Sequence, residues 1–367
     1  MGRAHQHMGG RTVDLKARAI AFYLPQYFPI PENDAWWGPG FTEWTNAARA
    51  RRLFPGHQQP NLPSELGFYD LRVPETRQAQ SDLAGEYGVE AFAYWHYWFG
   101  HGTRILERPF MEVLASRAPE ISFCLAWANQ TWSGIWHGAR DRILREQLYP
   151  GPEDEQRHFD TILPAFRDDR YLRVGDRPIF YIFRPEDLPN AAEFVDRWQA
   201  MARTAGLRGL YLVAEMSDMH GNVRYGNGEA DGFDASVYMQ LPAVKTTGGL
   251  LRMRAIRKTL GGPEIFDYDG AIAAASLTGA HIQPCVYPNW DNTPRSGRGG
   301  VVLRKATPAK FLSNVKDAIA TIADRPPQER LLWIKSWNEW AEGNHLEPDL
   351  VYGREWLRAL RDGLTDE

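Results

Sequence analysis

Short apolar runs alternate with helical patterns along the whole chain. The apolar runs are "AIAFYLPQY" (19–27), "VEAFAYWHYWF" (89–99), "ISFCLAWAN" (121–129), "RPIFYIFRP" (177–185), "GLYLVAEM" (209–216), "FDASVYM" (233–239), "HIQPCVYPNW" (281–290) and "LLWIKSWNEW" (331–340). Each is apolar on both faces instead of alternating, as a strand of a covered parallel sheet must be. Between them, stretches such as "VPETRQAQSDLAGEYG" and "NAAEFVDRWQAMARTAG" read as helices, the second stopping at Gly206. Eight strands, each followed by a helix or a long loop, predict one (β/α)8 barrel over 19–367. An open doubly wound sheet is the alternative, but no Gly-rich phosphate turn follows the first run. Residues 1–18 are expected to be a disordered segment. Connections 28–72, 240–280 and 291–308 are long, and barrel enzymes build their sites on such loops.

Composition narrows the class. Hydrophobic residues make up 43% of 367, enough for a large core, and a net charge of -4 gives no reason to expect nucleic acid. Aromatic residues are abundant, with 14 Trp and 15 Tyr, many beside Asn, Gln, His or Glu as in "YWHYWFGHG". Flat apolar faces next to hydrogen-bonding groups suit sugar rings. Cys124 and Cys285 fall in different strands and read as buried free thiols of a reducing compartment. The first residues lack the apolar core of a signal peptide, and no run is long enough to span a membrane, so a cytoplasmic location is expected.

The strand ends carry a convergent set of side chains. Run one supplies Tyr23, Gln26 and Tyr27, with Trp44 in the loop after it. Run two supplies Tyr94, His96 and Tyr97, and run three Trp127 and Asn129. Glu215, Tyr238, Trp290, Asp291 and Asn292 follow from runs five to seven. Run eight ends in Trp337, Asn338, Glu339 and, one turn on, Glu342. A strand-end polar group that caps the next helix is commoner than a catalyst, and both readings stay open for Glu215, Asp291 and each Tyr. The convergence carries more weight than any member.

Glu339 and Glu342, among tryptophans at a barrel mouth, suit glycoside hydrolysis. One carboxyl must hold a proton for the leaving oxygen and the other must be ionised. Burial beside Trp337 and Trp340, together with mutual repulsion, would separate their pKa values. The bland alternative is that both glutamates pair with arginines or cap a helix. Ten histidines include no HExxH, paired-Cys or other ligand motif, and no G-x-S-x-G elbow occurs, so neither a metal nor a cofactor is expected. Residues 245–258 hold five basic and no acidic side chains. They read as a solvated helix face or as a subsite for anionic sugars.

"FYLPQYFPIPENDAWWGPGFTEW", "GHQQPNLPSELGFYDLR", "YWHYWF", "CLAWANQTW", "NWDNTPR" and "SWNEWAEGNHLEP" occur in this order between about residues 20 and 349. In these motifs the chain resembles the WbsX-like family of polysaccharide-biosynthesis proteins, related to glycoside hydrolase family 99. The resemblance implies a (β/α)8 barrel and retaining cleavage of an α-mannosidic type of bond inside a glycan. It implies that Glu342 is the general acid/base and that Glu339 draws a proton from the sugar 2-hydroxyl, giving a 1,2-anhydrosugar. Asn338 and Trp340 match the same motif. The substrate expected is an oligo- or polysaccharide whose 2-hydroxyl lies trans to the leaving group, as in an α-mannoside or α-rhamnoside. Three activities stay open at this stage: a hydrolase, a glycosyltransferase or transglycosylase, and a catalytically silent glycan-binding protein.

Overall fold

The computed structural model describes residues 5–8, 11–134, 143–219, 222–226, 228–240, 261–273 and 279–365. The basic stretch 245–258 lies outside the described residues. Eight parallel strands form the centre: β1 Arg18–Tyr23, β2 Val89–His96, β3 Ser122–Trp127, β4 Arg177–Ile182, β5 Tyr211–Met219, β6 Ala235–Gln240, β7 Ile282–Val286 and β8 Leu331–Ile334. They pair in the order 5-6-7-8-1-2-3-4. Pairing of β4 with β5, from Tyr211 opposite Ile179 to Ala214 opposite Ile182, closes the ring. The result is a (β/α)8 barrel, with each strand falling on one of the apolar runs of the sequence, to within one residue except for β5, which continues three residues past its run.

Helices connect the strands. Among the described residues they are, in chain order, α1 Pro31–Trp37, α2 Glu43–Arg49, α3 Pro74–Glu86, α4 Arg108–Ser116, α5 Pro152–Phe166, α6 Ala191–Thr204, α7 Tyr268–Ala273, α8 Thr293–Ser296, α9 Pro308–Ala320 and α10 Glu355–Leu364. Several starts are written in the sequence. Proline is the first residue of α3, α5 and α9 and the second of α4, where its missing N–H costs nothing. The Asn190 side chain accepts from Glu193 N at the start of α6. Gly206 follows that helix at φ +83°.

The barrel interior is filled by rings. Phe22 stacks on Trp95 at 4.8 Å and on Trp333 at 5.4 Å, and meets Tyr181 edge-on at 5.1 Å. Neighbouring strand positions point the other way, toward the helices. Tyr94 packs on Phe110 of α4, and Phe180 on Trp198 of α6. This period of two decides which strand-end side chains reach the mouth.

At the N-terminus, His5–Met8 pairs antiparallel with Arg11–Asp14. Leu15 and Ala17 are buried in the core, and Lys16 N donates to Leu364 O at 3.0 Å. The expected disorder therefore does not extend over 15–18, where α10 covers the chain. The connections after β6 and β7 brace one another: Glu264–Asp267 pairs with Val301–Arg304. Cys124 is a buried free thiol, and Cys285 is free and partly buried. Among the described residues no helix is long and apolar enough to cross a membrane.

Candidate active site

The centre of the mouth is built by the segment after β8. Asn338–Glu339 pairs antiparallel with Asn344–His345 around the single turn Trp340–Glu342. Asn338 fastens this ribbon to β1. Its Oδ1 accepts from Leu24 N at 2.7 Å, and its Nδ2 donates to Leu24 O at 3.1 Å. The Ser336 hydroxyl accepts from Glu339 N at 2.9 Å and donates to Asn344 O at 2.8 Å. Gly343 closes the turn at φ +67°, where a Cβ would sit 2.8 Å from Asp291 N. That contact is occupied by a bond from Asp291 N to Glu342 O at 2.7 Å. Glycine is thus required twice at this position, for its backbone angle and for the close approach.

Asp291 locks three loops together. Its Oδ2 accepts from His57 Nε2 at 2.7 Å and from Gln59 Nε2 at 2.8 Å. His57 Nδ1 accepts from Leu53 N at 3.0 Å, so its Nε2 carries the proton. Asp291 Oδ1 accepts from Thr293 N and Oγ1. The loops after β1, β7 and β8 therefore meet behind Glu342.

The two glutamates are both buried, 3% and 6% exposed, and each acts on the other's acidity. Their surroundings differ. Glu339 Oε1 accepts from Trp95 Nε1 at 2.8 Å and from Lys335 Nζ at 3.0 Å. The Lys335 ammonium is itself 5.0 Å from the Trp95 ring centroid. Glu342 Oε1 accepts from Arg295 Nη1 at 2.5 Å, while Arg295 Nε donates to Glu43 at 2.7 Å.

These settings separate the two acidities. Burial pushes Glu339 up, but the Lys335 charge, the neighbouring Glu342 carboxyl, the Arg295 charge and the Trp95 N–H together bring it well below the usual carboxylate range. Burial also pushes Glu342 up. There the Arg295 attraction is outweighed by burial and by repulsion from Glu339, and its pKa is raised. Counting charges gives the same answer: Arg295 and Lys335 face Glu43, Glu339 and Glu342, so one proton on the three carboxyls makes the cluster neutral.

The other sequence-selected residues divide into three groups. Tyr97 is buried beside Trp132, and burial and then the Glu339 charge raise its pKa. Glu215 lies in the barrel interior, where Tyr181 Oη donates to it at 2.7 Å, and burial raises it to about 8. Tyr27, Trp44 and Asn338 form the bed under the ribbon. Tyr27 Oη donates to Asn338 O and accepts from Trp340 N at 3.3 Å, and the Trp44 ring lies 5.6 Å from Trp340. Asp291 and Asn292 hold the loop after β7, Asn292 Oδ1 accepting from Val301 N at 2.7 Å. Gln26 O accepts from Glu43 N at 3.0 Å, and Trp290 and Tyr238 are buried nearby.

The third group points away from the mouth. Tyr23 donates to Gln80 of α3 at 2.7 Å, and Tyr94 packs on α4. His96 shares a 2.8 Å bond with His158 of α5, and burial lowers His96 to about 3. Trp127 packs on Phe194 of α6. Asn129 ties two loops, Nδ2 donating to Arg184 O and Oδ1 accepting from Arg184 N. Trp337 is wholly buried against Phe92, and Trp340 is covered by His345 at 3.8 Å, so neither offers a stacking face.

Four partners of the pair escaped the sequence reading: Trp95, Lys335, Arg295 and Glu43. Trp95 was within reach of it, because strict alternation in β2 sends 95 inward once 94 and 96 go outward. Glu347 is likewise structural, its oxygens accepting from Gln80, Tyr69 and Trp340 at 2.6–2.8 Å. Among the described residues no group of three or more His, Cys, Asp or Glu is arranged to hold a metal.

A family model described as glycosyltransferase WbsX matches residues 19–360. Two proteins named WxcX, of uncharacterised function, from Xanthomonas campestris pv. campestris strains B100 and ATCC 33913, are each 38% identical over 369 residues. The match covers 98% of this chain and 52% of each relative, so the chain spans about half the length of these proteins. A structure described as a glycoside hydrolase-like protein superposes with a TM-score of 0.60 at 13% identity, covering 96% of this chain and 95% of that one. The family 99 endo-α-mannosidase of Bacteroides thetaiotaomicron, in complex with bis-tris-propane, superposes with a TM-score of 0.57 at 17% identity, covering 96% and 97%. These likenesses establish the barrel as a fold shared with glycoside hydrolases.

Proposed function

We propose, for a chain that belongs to the WbsX glycosyltransferase family, a retaining glycoside hydrolase activity on a bacterial polysaccharide or related glycan. The observation that carries this reading is the buried pair of glutamates after β8 in unlike settings, Glu339 bonded by Trp95 and Lys335 and Glu342 by Arg295, so that the first loses its proton more readily than the second. Glu342 gives its proton to the leaving oxygen. Glu339 takes the proton of the neighbouring 2-hydroxyl, O2 attacks C1, and a 1,2-anhydrosugar forms. Water then enters at C1, losing a proton to Glu342, while the epoxide oxygen regains its proton from Glu339. Two inversions at C1 give net retention.

The closeness of the pair supports this route over direct attack. Conventional retaining enzymes hold their carboxyls about 5–5.5 Å apart on opposite faces of the sugar, and inverting ones about 6.5–9.5 Å. Carboxyls three residues apart on a single turn beyond one barrel strand address neighbouring oxygens on one side. In-line attack by O2 requires it trans to the leaving group, as in an α-mannoside or α-rhamnoside. The test is a matched pair of substrates with and without the 2-hydroxyl, followed by NMR of the first-formed anomer. Cleavage of the 2-deoxy substrate through a covalent bond to Glu339 would overturn the reading.

The family's description favours a second reading, in which a sugar hydroxyl replaces water in the second step. The protein is then a glycosyltransferase or transglycosylase using the same two glutamates. Transfer products formed with an added acceptor glycan, or a rise in melting temperature with a nucleoside diphosphate, would select it.

A further inference from the structure

Arg295 does more than neutralise Glu342. Its guanidinium bridges two carboxylates from different elements, with Nη1 on Glu342 at 2.5 Å and Nε on Glu43 at 2.7 Å. Glu43 is the first residue of α2, in the loop after β1, and is 1% exposed. Arg295 lies in α8, after β7, and Glu342 follows β8. Three loops thus contribute one side chain each to a buried carboxylate–guanidinium–carboxylate row. Removing one partner of such a row leaves an uncompensated charge in a dry site, which is costly.

We propose that Glu43 and Arg295 are positioning residues that set how firmly Glu342 holds its proton, Glu43 by competing with Glu342 for the guanidinium. Glu43 is not a catalytic residue: its carboxylate accepts from Arg295 Nε and from Asn46 Nδ2 within its own helix. With Glu43 present, Arg295 is shared, and the stabilisation left for a Glu342 carboxylate is small. Without Glu43, the whole guanidinium charge serves Glu342. The bidentate reach of Arg is required, because Lys offers one point charge and cannot hold both oxygens in this geometry.

The remaining charged groups around Glu342 do not duplicate this role. Glu339 adjoins it and repels its ionised form. Lys335 is bonded by Glu339 Oε1 at 3.0 Å, and its charge favours an ionised Glu342 less than that of Arg295 does. Asn344 Nδ2, at 3.5 Å from Oε2, is neutral. Tyr97 senses the pair and Tyr27 senses Glu43, and both phenols are raised by burial. Arg49, at the other end of α2, is solvent-exposed. Asp291 meets Glu342 through its backbone N–H, with its carboxylate turned to His57.

This inference rests on Glu342 acting as an acid, so its test reads protonation directly as well as turnover. The infrared carbonyl band of a protonated carboxyl, assigned by its loss in Glu342→Gln, is titrated without substrate. Glu43→Gln should lower the titration midpoint by about one pH unit, and Arg295→Gln should raise it by a similar amount. The alkaline limb of the kcat/KM profile should follow in the same opposite directions. Arg295→Lys should fall between wild type and Arg295→Gln. Shifts in the same direction, or an unmoved band in Glu43→Gln, overturn the proposal. Should Arg295→Gln fail to fold, the Glu43→Gln arm decides alone. Infrared shifts without any glycan turnover would sustain the charge row and count against the hydrolase reading.

Discussion

At the residue scale, two neighbouring carboxyls are set to opposite acidities, one lowered and one raised. Lys335 and the Trp95 N–H act on Glu339, whereas burial and the Glu339 charge act on Glu342. The active form carries an ionised Glu339 and a protonated Glu342. Activity should therefore rise as pH climbs through the depressed Glu339 value and fall as pH climbs through the raised Glu342 value. A bell in kcat/KM is expected, and a profile lacking its alkaline limb would contradict the acid role. Glu342→Gln keeps volume but transfers no proton, so turnover on an unactivated glycoside should fall by roughly 10²–10⁴-fold. Trp95→Phe keeps a ring over Lys335 but loses the 2.8 Å bond to Glu339. A hydrogen bond to a charged group is worth about 1.5–3 kcal/mol. A loss of roughly 10–100-fold in kcat/KM with an unchanged melting temperature is expected; a melting temperature that falls in step would mark Trp95 as structural only.

At the element scale, the segment from β8 through the 338–345 ribbon decides where the glutamates point. Gly343 is its critical position. Alanine there would need a left-handed backbone and would drive Cβ to 2.8 Å from Asp291 N. Gly343→Ala should break the Asp291 N to Glu342 O bond, lower stability by about 1–3 kcal/mol and impair turnover together. Calorimetry showing unchanged stability would mean that the loop yields freely. Strands also explain which site residues were legible. The apolar runs marked every barrel strand, because parallel strands are covered on both faces. They did not mark direction, because a strand apolar on both faces hides its alternation. Tyr23, Tyr94, His96 and Trp127 consequently looked like mouth residues while facing α3 to α6. Inward Trp95 was passed over for the same reason.

At the scale of the whole molecule, the barrel brings Glu43, Arg295 and Glu342 together across 252 and 47 residues of chain. No local pattern announces such a row, which is why Glu43 and Arg295 escaped a reading of the sequence. The same enclosure buries ionisable groups with no role in the proposed chemistry, and these set the pH range of the fold. Burial raises Glu215 to about 8 and lowers His96 to about 3. For Glu215 the folded value lies above the unfolded one of about 4.3, so its contribution to stability is complete below that and is lost as pH rises toward 8. For His96 the folded value lies below about 6.5, so its contribution is complete above that and is lost as pH falls toward 3. Glu215→Gln retains an acceptor for Tyr181 and cannot ionise. Its melting temperature relative to wild type should therefore climb steadily from about pH 4.5 to pH 8 and level off above. The opposite slope belongs to a His96 replacement, which should gain on wild type only as pH drops below about 6.5. Melting curves of the three proteins across this range decide it: a Glu215→Gln difference independent of pH would show that water or a cation already compensates the buried carboxylate.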